Sequence, residues 1–105
     1  MQASRATTTP LRRLGDALRD VRKSKSLSLH RAAREAGLEF DELVAIEGGR
    51  AKPQLVNMVK LLIFYELPPK MMLLRLGAAD KEVVQLLARI APIYYLYEVE
   101  RDQAS

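Results

Sequence analysis

Apolar residues recur along most of this chain at helical rather than alternating spacing. Leu11, Leu14, Leu18 and Val21 follow one another at steps of three and four, one face of a helix. Thr9-Pro10 ahead of them is a start signal, with threonine as N-cap and proline at the first helical position. The first helix is therefore expected to run to about Ser24. Ser28 caps a second, Leu29 to Ala36, which Gly37 ends. Phe40, Leu43 and Ile46 mark a third, Phe40 to Glu47, stopped by Gly48-Gly49. Ala32 and Ala33 are small enough to let two helices approach closely, so residues 27–53 predict a tight pair of helices joined by a short turn.

The second half is more apolar. Leu55, Val56, Met58, Val59, Leu61, Leu62, Ile63 and Phe64 crowd a fourth helix, Gln54 to about Glu66, which must be covered on most of its surface. Pro68-Pro69 breaks it and opens a fifth, Lys70 to Leu76, ending at Gly77. Asp80 is the expected N-cap of a sixth helix from Lys81 to near Glu100, which Pro92 should kink or interrupt. The division expected is a flexible arm over 1–9, a helical domain over 10–77 and a helical extension over 78–105.

Composition narrows the class. A chain of 105 residues, 49% hydrophobic, suits one small domain with an appendage. With no cysteine, neither a disulfide nor a thiolate metal site is available. Met1 to Thr9 has no apolar core of the signal-peptide kind, and the apolar run Leu61 to Tyr65 is far too short to cross a bilayer. The expectation is a soluble, cytoplasmic protein with no membrane association. The charge is lopsided. Residues 1–52 hold eleven Lys/Arg against seven Asp/Glu, whereas residues 53–105 hold six of each, so the whole excess of +4 lies in the first half. Clustered positive charge is the footprint of a phosphate-binding surface.

The residues Leu14-Gly15-Asp16-Ala17-Leu18-Arg19, Arg22-Lys23, Leu27-Ser28, Ala32-Ala33, Ala36-Gly37-Leu38, Leu43, Ile46-Glu47, Gly49-Arg50 and Pro53 together resemble the Cro/CI-type (XRE family) helix-turn-helix. The resemblance covers roughly residues 11–76 and is specific in order and spacing. It implies an all-α fold: a five-helix, lambda-repressor-like helix-turn-helix domain, here with an extra C-terminal helix. It also implies double-stranded DNA, an operator, as partner, with the third helix lying N-terminal end first in the major groove. Base readout then falls to Phe40, Asp41, Glu42 and Ala45, and phosphate contact to His30, Arg31, Arg34, Arg50 and Lys52. For any one of these five cations, a solvated surface side chain is the simpler reading. Two departures stand out. The family's usual glutamine at the start of the second helix is Leu29, and Glu39, Asp41, Glu42 and Glu47 make the third helix acidic.

The extension holds three of the four tyrosines and a run of large aliphatics, which suits an interface. Val84, Leu87, Ile90, Ile93, Tyr94, Tyr95 and Tyr97 are the expected dimerisation residues. The function expected is a sequence-specific, DNA-binding transcriptional regulator, a repressor acting as a homodimer. The alternative is a protein-interaction module of the same fold, antitoxin-like or an anti-activator, with a protein partner and little specific readout. A nonspecific nucleic-acid binder is the third reading. No enzyme is expected, because no nucleophile with a partnered base and no glycine-rich phosphate loop is present. One histidine and no cysteine give no support for a metal, and no cofactor is called for.

Overall fold

The computed structural model describes residues 9–77 and 80–104. The arm expected over residues 1–9 lies outside the described residues except for Thr9. Among the described residues there are six helices and no strand: α1 (Pro10–Ser24), α2 (Leu29–Ala36), α3 (Phe40–Gly48), α4 (Leu55–Tyr65), α5 (Pro69–Leu76) and α6 (Lys81–Ala104). The chain divides into two compact units, Met1–Pro53 and Gln54–Ser105. The sequence placed its boundary at Gly77 instead. The difference follows from α6, which packs on α4 and α5 and so belongs with them.

In the first unit the helix limits follow from their caps. The Arg12 amide donates to Thr9 Oγ1 (3.1 Å) and the Arg31 amide to Ser28 Oγ (3.1 Å), satisfying N–H groups that the first turn leaves open. At the far ends Gly37 (φ 88°) and Gly49 (φ 67°) take the left-handed backbone that a side chain resists. The core is Leu14, Ala17 and Leu18 of α1, Ala32 and Ala33 of α2, Leu43 and Ile46 of α3, and Leu38 between the last two helices.

Gly15 sets how close α1 comes to α3. A Cβ built there would lie 2.5 Å from the carbonyl oxygens of both Ile46 and Glu47, where backbone cannot yield. Only a glycine permits that approach, and it brings the Arg22 side chain to Glu47. The two form a bidentate pair, Nε to Oε2 at 2.7 Å and Nη2 to Oε1 at 2.9 Å, and both residues are buried. Arg22 Nη1 also donates to the Leu27 carbonyl (2.8 Å), tying the turn before α2 to the same guanidinium.

The second unit is held differently. Met58, Leu61, Leu62 and Tyr65 of α4, Met72 of α5, and Val83, Leu86, Leu87, Ile90 and Tyr94 of α6 are all buried. The Val83 amide donates to Asp80 Oδ1 (2.9 Å), so Asp80 is the N-terminal cap expected of it. The last helix was expected to be kinked or interrupted at Pro92 and to end near Glu100. The sixth helix is unbroken across Pro92 and reaches Ala104. Proline removes the N–H that would bond the Ala88 carbonyl, but Ala88 and Pro92 both lie on the exposed side, where water can take that bond.

Candidate nucleic-acid interface

Helix α3 is the element on which this surface turns, and its two ends differ in chemistry. Its start is acidic. Glu39 and Glu42 form a capping box in which the Glu39 amide donates to Glu42 Oε1 (3.1 Å). Asp41 stands exposed between them. Carboxylates in a first turn interact well with the N-terminal end of the helix macrodipole, so these acids have a local structural role. Of the expected base-reading residues, Asp41 is the exposed one, while Phe40, Glu42 and Ala45 are half-buried.

Phe40 is not free-standing. Its ring stacks on that of His30, with centroids 3.9 Å apart and planes 8° from parallel. This aromatic pair joins the start of α2 to the start of α3. Leu29, at the position where the family resemblance leads one to expect a bracing glutamine, lines the cavity at the other end of α3. His30, expected as a phosphate contact, is thus the partner of Phe40, which was expected to read bases. Nothing in the sequence pairs two rings ten positions apart on different helices.

The other end of α3 is basic. Arg19 and Lys23 from α1 and Arg50 from the segment after α3 converge on an open cavity of about 350 Å³, with Leu29, Val44 and Gly48 along its walls. Arg22 and Glu47 line it too, but each neutralises the other at 2.7 Å. Arg19 leans on the same group, its Nη2 donating to the Glu47 carbonyl (3.3 Å), and it also lies 3.4 Å from Asp16. Lys23 and Arg50 are exposed, and the Arg50 stem lies against the open face of Gly48. The acidic count of the α3 segment therefore overstates its field, since the Glu47 charge is cancelled from within.

The remaining expected phosphate contacts are scattered. Arg34 and Lys52 are exposed, whereas Arg31 is tied to Glu35 across one helical turn (2.8 Å). Arg50 is the one member of that set found in the cavity. Arg19 and Lys23 were not expected there, although their four-residue spacing already put them on one face of the first helix.

The expected dimerisation residues are divided by their burial. Leu87, Ile90 and Tyr94 belong to the core of the second unit, which corrects their assignment to an interface. Helix periodicity explains this: they share the face of α6 that carries Val83. Val84 and Tyr97 are half-buried, and Ile93 and Tyr95 are exposed.

Among the described residues no cluster of histidine and acidic side chains could hold a metal ion. No helix of the described residues is long and apolar enough to cross a membrane. Compared with known proteins, the chain matches no family model, no curated protein and no solved structure.

Proposed function

We propose that the chain is a Cro/CI-type, sequence-specific DNA-binding regulator, a repressor acting as a homodimer on an operator. The observation that carries this reading is the basic cavity at the end of α3. Arg19, Lys23 and Arg50 come from two separate segments to one concave spot, and the only carboxylate inside it is already paired with Arg22. That is an open hollow with a net positive lining, suited to a phosphate backbone, next to a helix whose other end would meet bases. Phosphate contacts of this kind set position, while Phe40, Asp41 and Ala45 would supply sequence preference. Aspartate can accept a bond from cytosine N4, and the Phe40 ring can touch a thymine methyl.

A second reading has its own observation. The start of α3 presents Glu39, Asp41 and Glu42, and the nearby Arg31 is occupied by Glu35. A surface of that sign suits a basic protein partner, as in an antitoxin-like or anti-activator module.

Selection from a random DNA pool, at about 0.15 M salt and again at higher salt, separates the two. The regulator reading expects an enriched palindrome and an affinity that falls steeply with salt. Lys23→Gln and Arg50→Gln should each flatten the log–log salt slope by about 0.9, one released phosphate contact apiece. A folded protein that enriches no sequence at either salt sinks the reading and leaves the acidic helix as the place to seek a protein partner. Salt-dependent affinity without any sequence enrichment would instead mean a nonspecific binder.

A further inference from the structure

The second unit carries an open groove of about 670 Å³ between α5 and α6, walled by Pro68, Met71, Pro92 and Tyr95 over a floor of Ala88 and Ala91. On α6, Ala88, Ala91, Pro92, Tyr95 and Glu98 recur at steps of three and four, so one continuous stripe of that helix faces the groove. Two of its walls stand largely in water, Tyr95 at 65% exposed and Met71 at 53%, and on the same two helices Leu74 is 71% and Leu96 62% exposed. Exposed apolar side chains of this size on two helices packed together mark a binding site rather than a solvated face.

We propose that this groove is the surface on which a second copy of the chain docks, pairing α6 with α6 across a two-fold axis. The inference rests on the homodimer in the reading above and names its interface. Two features select a second copy over other occupants. The surface holds both a hollow with a small-residue floor and, at its wall, the largely exposed Tyr95 with Leu96 next to it, side chains of a size to fill such a hollow. A two-fold pairing requires that self-complementarity, since each copy must offer the same patch. The rim is also self-complementary in charge, with Lys70 on the α5 side and Glu98 on the α6 side, neither held in an ion pair within the described residues. Across a two-fold axis, Lys70 of each copy meets Glu98 of the other. A small molecule in the groove would leave Leu74 and Leu96 in water.

Sedimentation equilibrium of the full chain over a wide concentration range tests this. The wild-type chain is expected to be a dimer. Tyr95→Glu should raise its dissociation constant at least about tenfold, the loss of one central aromatic anchor. Lys70→Glu and Glu98→Lys should each weaken it several-fold, and the double exchange should restore it, because the charges meet again with roles reversed. Val56→Glu, at an exposed position of α4 outside the groove, should leave the dimer unchanged. If Tyr95→Glu fails to fold, the three charge variants decide alone. A wild-type dimer that every groove variant preserves overturns the proposed interface while the homodimer stands. A wild-type chain monomeric at all loadings overturns the homodimer and the interface together, leaving the groove to a different molecule.

Discussion

The two units of this chain solve the same problem with different materials. The first, Met1–Pro53, contains three short helices of 15, 8 and 9 residues and buries a charged pair among small and aliphatic side chains. The second, Gln54–Ser105, has a core of methionine, leucine, isoleucine, valine and tyrosine, with Asn57 its one buried polar side chain among the described residues. It leaves much apolar surface outside. An apolar core tolerates approximate packing, because dispersion and burial are nondirectional. A buried ion pair does not, because its desolvation is offset only when both groups keep their hydrogen bonds. The first unit therefore fixes the geometry of α1, α3 and the turn before α2 with one guanidinium, at the end of α3 where the basic cavity lies. The second unit spends its side chains on bulk burial and presents the remainder.

The largest expected effect is the removal of Glu47. Glu47→Ala strands the Arg22 guanidinium in the interior and should cost about 3–5 kcal/mol. Denaturant unfolding of the full chain measures the loss. Native-state hydrogen exchange shows where it falls, with protection expected to drop across α1 and α3 far more than across α4 to α6. Replacing both partners at once, Glu47→Leu with Arg22→Met, should recover most of the stability, because an apolar pair of similar volume has no charge left to desolvate. If the double variant is as unstable as Glu47→Ala, the contrast between the two units is not one of charge burial.

A smaller effect, about 1–3 kcal/mol, is expected for Gly15→Ala. The added methyl meets two carbonyl oxygens of α3 at 2.5 Å, so α1 must move outward and lengthen the Arg22–Glu47 contacts. The two perturbations then share a mechanism. Their effects should sum to less than the separate losses when combined in Gly15→Ala with Glu47→Ala, since a pair already broken cannot be broken again. Full additivity in denaturant unfolding would show that Gly15 and the ion pair act independently.

These residues also mark where the sequence stops being readable. Helix ends were legible because their signals are local. Thr9, Ser28, Gly37, Gly49 and Asp80 each act on backbone within three or four residues, and each sits at the helix end it announces. Glu47 was recognisable as one of the residues that carry the family resemblance, but its partner lies 25 positions away on another helix. The close approach at Gly15 is likewise a fact about α3, invisible in the neighbours of Gly15. The His30–Phe40 stack and the gathering of Arg19 and Lys23 with Arg50 have the same character. Each depends on how helices are set against one another, which periodicity within a single helix does not encode. Periodicity did mark α6 as apolar, yet not which of its apolar residues turn inward, and so Leu87, Ile90 and Tyr94 were assigned to an interface that they do not reach. At Pro92 the local rule allowed a kink or a break, and the helix is not broken there, the residue lying on an exposed face.

The smallest effect belongs to the second unit and appears only in alkali. Burial holds the Tyr94 phenol protonated above its ordinary pKa of 10.0, and the nearby Glu98 carboxylate adds to that, while Arg101 opposes it. A phenol with a raised pKa in the folded state binds its proton more tightly there than in the unfolded chain. Its contribution is therefore complete below about pH 10, the unfolded value, and is lost as pH rises through the higher folded value. Urea midpoints measured from about pH 9 to about pH 11 should fall for the wild-type chain, and Tyr94→Phe should fall less steeply. The chain holds four tyrosines, so the comparison that counts is the difference in slope between Tyr94→Phe and the wild-type chain. The second unit, with two tyrosines, Tyr65 and Tyr94, in its core, would thus show a sensitivity to charge at Tyr94 that appears only in alkali. If Tyr94→Phe and wild type decline together, the alkaline sensitivity lies outside that core, and the second unit is as indifferent to charge as its composition implies.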